Sequence, residues 1–111
     1  MHLTNYAINK DSDQFVQNSG VDDFGHKRSL TAIFKAIDQA RLSDPEIISG
    51  EECWQQLKEL TVKTIISGHN FIAHTQKTAK PQDLENQMCF QILGIDIFLD
   101  KKAKPWLIEI N

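Results

Sequence analysis

At 111 residues, with 41% hydrophobic side chains, the chain has the apolar content of one small folded unit and not that of a disordered tail. Twelve basic residues against 15 acidic ones, with no long run of either sign, give no electrostatic case for binding nucleic acid or a membrane surface. No apolar stretch approaches the roughly 20 residues that span a bilayer, and the opening MHLTNYAINK has neither a basic nor an apolar leader region.

Cys53 and Cys89 match no zinc spacing and have apolar neighbours, so both are expected as buried reduced thiols, which points to a cytosolic origin. Both ends look abrupt, and the chain reads as a fragment.

The stretch from Asp11 to Arg28 is polar, carries Gly20, Gly25, Asp22 and Asp23, and has no sustained period. It reads as a loop. Ser29 then precedes Leu30, Ile33, Phe34, Ile37 and Ala40, whose spacing of three and four residues predicts a serine-capped helix over about Leu30 to Leu42. Ser43, Asp44 and Pro45 end it.

Ser49 followed by Glu52 has the form of a capping box and predicts a second helix. Its apolar face runs through Cys53, Trp54, Leu57, Leu60, Thr61, Thr64 and Ile65, with Trp54 in the core and Gly68 as a stop. Whether His69 to Thr75 resumes the helix is open from the pattern. Lys77 to Asn86, which contains Pro81, reads as a connection.

From Phe90 to Leu99 and from Pro105 to Ile110 the chain is apolar except for a few positions, with DKKAK between. Two strands joined by a hairpin are predicted. Side chains alternate along a strand, so Ile95, Ile97 and Leu99 share one face with Trp106, Ile108 and Ile110, and Trp106 packs the apolar back. A four-residue loop, Lys101 to Lys104, pairs Asp100 with Pro105, Phe98 with Leu107 and Asp96 with Glu109, with Asn111 diagonally beside them.

Two carboxylates directly opposite each other in an apolar context are destabilising. A divalent cation removes the conflict, because Asp, Glu and an Asn carbonyl are hard oxygen ligands of the kind Mg²⁺ accepts beside phosphate oxygens. Protonation of one acid is another escape. A register differing by one residue, with both acids in water, is equally open to the spacing.

The run CFQILGIDIFLDKKAKPWLIEIN, from Cys89 to Asn111, and HLTNYAINK, from His2 to Lys10, closely resemble two signature segments of the tubulin tyrosine ligase-like family, especially its polyglutamylase branch. Together they cover 32 of the 111 residues in the family's order. GHKRSL, from Gly25 to Leu30, resembles a third, weaker segment.

The resemblance implies an α+β fold: the C-terminal part of an ATP-grasp domain, with helices packed on an antiparallel hairpin or sheet. Residues 1–111 would then be a partial domain truncated at both ends. It implies ATP and Mg²⁺ as cofactors, with Asp96, Glu109 and Asn111 as metal ligands. His2, Leu3, Thr4, Asn5 and Ile108 would contact the nucleotide, and Tyr6 and Lys10 the free amino acid. Family members commonly carry Ser where this chain has Ala7, which removes a hydroxyl from that contact.

The implied reaction adds L-glutamate to glutamate side chains of α/β-tubulin tails through an acyl phosphate. No nucleic acid or membrane is involved, and the location is cytoplasmic and cytoskeletal, extending to cilia and basal bodies. The family's phosphate-binding lysines and substrate-orienting arginine lie upstream, so the 111 residues alone are expected to be inactive. Other readings are a tubulin glycylase or tyrosine ligase, or a non-catalytic remnant that binds only nucleotide or tubulin.

The remaining polar residues have plainer readings. The interval between His69 and His74 does not place them together on a helix face, so they and His26 read as surface or loop residues. Lys101, Lys102 and Lys104 fit a solvated turn better than a contact with an acidic tail. Lys27 and Arg28 are similar, though the GHKRSL segment gives them a case for facing substrate.

Overall fold

The computed structural model describes residues 6–16, 24–85 and 87–111. Its elements are α1 (Tyr6–Asn9), α2 (Leu30–Arg41), α3 (Gly50–Ala79), β1 (Ile95–Leu99) and β2 (Pro105–Ile110). The class is α+β, as expected: helices against one antiparallel two-stranded sheet.

Both predicted serine caps form. Ser29 and Ser49 adopt extended backbone conformations, and their hydroxyls accept from Ala32 N and Glu52 N, each at 3.1 Å, which satisfies amides that a helix start leaves without partners. Helix α2 begins at the predicted residue and ends at Arg41, with Leu42 as its cap.

Helix α3 does not stop at Gly68 but runs on to Ala79. A lone glycine weakens a helix by only about 1 kcal/mol, and Gly68 keeps right-handed helical neighbours, so nothing there breaks the hydrogen-bond ladder. The polar threonines are accommodated by donation to the carbonyl four residues back, as with Thr61 to Leu57 O at 2.9 Å and Thr64 to Leu60 O at 2.7 Å.

The link between α2 and α3 is tight. Asp38 Oδ1 accepts from Gly50 N at 2.7 Å, and a β-carbon at Gly50 would lie 3.0 Å from Phe34 Cβ and 3.1 Å from Phe34 O. Glycine is there because the start of α3 crosses α2 at backbone contact. Around this crossing lies the core: Ile37, Cys53 and Ala103, with Ile33, Phe34, Ile47, Ile48, Leu57 and Leu99 packed against them.

Two expectations fail in this region. Trp54 is 44% exposed, its ring edge-to-face with Phe34 at 5.9 Å and 6.0 Å from Lys58 Nζ. It sits beside Cys53, which takes the buried position on that turn. Cys89 is exposed, because residues 87–93 form an irregular segment outside the core; Cys53 is fully buried, and both thiols are free.

The hairpin turn is the part of the sheet that enters the core. Ala103 is 6% exposed and has a φ of 62°, the left-handed region that costs a residue with a β-carbon about 1–2 kcal/mol. Its methyl packs with Ile37 and Cys53, and that burial offsets the strain. Lys102 adds two ties, its carbonyl accepting from Ile48 N at 3.1 Å and its Nζ lying 2.7 Å from Glu46 Oε2.

Candidate functional site

Strand β1 pairs antiparallel with β2 in the register Leu99 with Pro105, Phe98 with Trp106, Ile97 with Leu107, Asp96 with Glu109 and Ile95 with Ile110. The predicted Asp96–Glu109 pair is present, but it is reached by a different route. The turn is one residue shorter than expected: Asp100 N donates to Lys104 O at 3.0 Å and Ala103 N to Asp100 O at 2.9 Å, which leaves a three-residue loop closed by a left-handed residue. The register then shifts between Ile97 and Asp96, so that Ile108 is an extra residue in β2, a β-bulge.

This pair of offsets changes the residues between the turn and the bulge. Phe98 faces Trp106 and not Leu107, and Trp106 therefore lies on the acidic face and not on the apolar back. Leu107 takes the place opposite Ile97. Four large or charged side chains, Asp96, Phe98, Trp106 and Glu109, thus share one exposed face of the hairpin.

Asn111 completes the group. Its backbone pairs with Gly94 through two 2.8 Å hydrogen bonds, one residue beyond the Ile95–Ile110 pair, which puts it on the face of Asp96 and Glu109. Asn111 Nδ2 donates to Glu109 Oε1 at 3.3 Å and leaves Oδ1 as a further oxygen donor. Gly94, opposite, contributes no side chain to the space between Asp96 and Asn111. The donors are two carboxylates and an amide oxygen, a set suited to a hard divalent cation.

Asp100, which sequence reasoning passed over, organises the turn below this group. Its Oδ1 accepts from Lys102 N at 2.9 Å and Lys104 N at 3.0 Å, and its Oδ2 from Trp106 Nε1 at 3.0 Å. The Trp106 hydrogen bond, followed by the two backbone amides and the Lys104 charge, holds its carboxyl below the usual carboxylate range. An aspartate opening a turn is a signal that could have found it. Lys104 Nζ lies 4.6 Å above the Trp106 ring, and the carboxylate of Glu46 raises the Lys102 ammonium above its usual value. Lys102 and Lys104 therefore act within the turn.

The other predicted site residues are not gathered here. His2, Leu3, Thr4 and Asn5 lie outside the described residues, as does the side chain of Tyr6, whose backbone opens α1. Lys10 is exposed in the turn after α1, and Ile108, the bulge residue, is 63% exposed. His69 and His74 are exposed on α3, while His26 stacks on Phe15 and accepts at Nδ1 from Val16 N at 3.1 Å. Among the described residues no three His, Cys, Asp or Glu side chains form a metal-binding group.

A hairpin with an oxygen-donor cluster on its open face, docked through its turn onto two capped helices, defines a small α+β unit. The family model described as "Tubulin-tyrosine ligase family" matches residues 1–111, and the chain belongs to that family. It is 44% identical, over its whole length, to a probable beta-tubulin polyglutamylase of Tetrahymena thermophila, of which it covers 9%. It is likewise 39% identical to the tubulin polyglutamylase ttll6 of Danio rerio and 43% identical to the mouse tubulin polyglutamylase TTLL6, in each case over its whole length, covering 13% and 12% of those proteins. The chain spans about a tenth of the length of the curated relatives it matches.

Proposed function

We propose that this chain supplies the metal-binding hairpin of an ATP-dependent ligase of the ATP-grasp kind, which adds glutamate to glutamate side chains of tubulin tails. The observation that carries the reading is the alignment of Asp96 with Glu109, with Asn111 hydrogen-bonded to Glu109 on the same face. The family membership and the names of the relatives support the substrate class, microtubule tubulin, and a cytoskeletal location that could include cilia.

Asp96, Glu109 and Asn111 would hold Mg²⁺, which supplies charge neutralisation at the phosphates of ATP. The role of the hairpin is positional. Asp96 and Glu109 repel each other across the strands and so favour a cation between them, while the Asn111 amide fixes the Glu109 carboxylate. Phe98, Trp106 and Ile108, all more than half exposed, border the acids with apolar surface that a nucleotide would cover. A glutamate side-chain carboxylate is a poor electrophile. ATP would convert it to an acyl phosphate with release of ADP, and the amine of free glutamate would displace phosphate.

His2 to Asn5 would contribute nucleotide contacts, and Tyr6 and Lys10 contacts to the incoming amino acid, with Lys10 acting as a point charge for a carboxylate. Turnover belongs to the whole polypeptide of which such a hairpin is part, and the 111 residues alone would lack it. One experiment tests both statements: Mg²⁺-ATP binding and glutamate incorporation into tubulin, measured for the complete domain, its Glu109→Gln variant and the 111-residue chain. Binding by the complete domain weakens at least ~10-fold on Glu109→Gln, the loss of one charge-assisted ligand. Unchanged binding would remove Glu109 from the metal, and turnover by the 111 residues would refute their incompleteness.

A further inference from the structure

Val16 and His26, ten positions apart in the chain, are joined by two hydrogen bonds of 3.1 Å: His26 N donates to Val16 O, and Val16 N donates to His26 Nδ1. The imidazole takes the place that a backbone carbonyl holds in an ordinary antiparallel bridge. We propose that this pair is a pH-operated clasp, closed while the imidazole is neutral and opened by its protonation. The proposal concerns the span between α1 and α2 and stands apart from the ligase reading.

The surroundings aim the ring at its partner. The Phe15 ring stacks on the imidazole, with centroids 5.3 Å apart and planes inclined by 24°. Gly25, with a φ of 92°, turns the chain immediately before His26 in a conformation that a side chain would strain. Arg28 Nε donates to Gly25 O at 3.0 Å, which ties this turn to the residues leading into the Ser29 cap of α2. Val16, Phe24, Gly25, His26 and Arg28 border a cavity of about 270 Å³, so the ring has room to swing away once the bond fails.

The chemistry follows from the bond. An imidazole nitrogen that accepts carries no proton, so Nδ1 presents its lone pair and Nε2 bears the hydrogen. A proton taken up from water at Nδ1 uses that lone pair, makes the ring a cation and sets an N–H against the Val16 N–H, donor facing donor. Val16 N then loses its partner.

Charge works in the same direction. On its own segment His26 is followed by Lys27 and Arg28, and Arg28 borders the same cavity. The facing residues Phe15 and Val16 are uncharged, and the acids that precede them, Asp11 and Asp13, form no ion pair with His26. Among the described residues no carboxylate compensates an imidazolium here, and opening the clasp lets it reach water.

The test is nuclear magnetic resonance of the isotope-labelled 111-residue chain, reading the coupling across the hydrogen bond between Val16 N and His26 Nδ1. The coupling is expected at about pH 7.5 and absent at about pH 5, a span over which histidine changes charge, and it disappears in step with the titration of the His26 ring. In His26→Asn the side-chain oxygen stands in for Nδ1 and does not titrate, so the Val16 amide resonance keeps its closed position at both pH values. In His26→Phe the acceptor is gone and that resonance takes its open position at both. The Ala32 amide, capped by Ser29, serves as the internal control and does not move.

An absent coupling at neutral pH, or an acid shift of the Val16 amide that persists in His26→Asn, would overturn the clasp. Should His26→Phe fail to fold, the unsubstituted chain and His26→Asn decide the matter alone. Because neither nucleotide nor metal is present, an ineffective Glu109→Gln substitution in the complete domain would sink the ligase reading without touching this measurement.

Discussion

At the scale of single residues, the turn beneath the candidate site depends on Asp100 more than on any of the three lysines around it. One carboxylate closes the loop through Lys102 and Lys104 amides and anchors the Trp106 indole. Its folded-state pKa is depressed, so its contribution to stability is present above the unfolded value, about 3.9, and is lost as pH falls through the lower folded value. The Trp106 indole N–H resonance is therefore expected to hold steady from neutral pH to about pH 4 and to move toward its free position below that. In Asp100→Asn the acid transition of this resonance disappears, and an identical pH profile in the variant would exclude Asp100 as its cause. Aspartate at the head of a turn was legible in the sequence; its bond to Trp106 was not, because alternation alone put that ring on the other face.

At the scale of elements, local signals were read reliably where a side chain satisfies its own backbone. Ser29 and Ser49 mark both helix starts because a hydroxyl beside free amides is a short-range arrangement that packing elsewhere does not alter. Stops were harder to read: Gly68 is tolerated within α3, since termination needs a second cause, which comes only beyond Ala79. Nor does a composition of apolar residues from Phe90 to Leu93 make a strand without a neighbour to pair with, and β1 starts at Ile95. The packing of α2 on α3 was invisible in the sequence, being set by a glycine. Gly50→Ala brings a methyl within 3.0 Å of Phe34 Cβ and 3.2 Å of Asp38 Oδ2. The expected loss is about 1–3 kcal/mol of unfolding free energy, read by urea denaturation. A neutral result would show that α2 can move aside.

At the scale of the whole molecule, the accessible surface is 9448 Å², against roughly 6,200 Å² for a compact monomer of its mass. The radius of gyration is 18.4 Å, where about 13 Å is usual for this length. Large apolar side chains such as Phe71, Leu84, Phe90 and Ile92, each at least 78% exposed, contribute to the excess surface. Stability is consequently uneven. The first turns of α3 lean on the core through Cys53 and Leu57, while among the described residues no neighbouring element buries its last three turns. Amides of residues 70–79 are expected to exchange with deuterium at least ~10-fold faster than those of residues 53–61, as mass spectrometry of peptic fragments would report. Uniform protection along α3 would mean that the helix stands on its own.

The pairing of Asp96 with Glu109 was legible in outcome but not in cause. The acid pair follows from a loop of four residues and an uninterrupted strand, or equally from a loop of three residues and a bulge at Ile108, and the second is what forms. The turn is shortened because Ala103, in its left-handed conformation, reaches back into the core beside Cys53. The sequence pattern carries no trace of that demand.

The two single-residue offsets cancel, and this makes the hairpin a length-coupled device. An insertion in the turn alone, or removal of the bulge residue alone, would slide Glu109 past Asp96 and turn one acid toward the helices. Both changes together would leave the acids facing each other, so across relatives a longer turn should travel with an unbulged second strand.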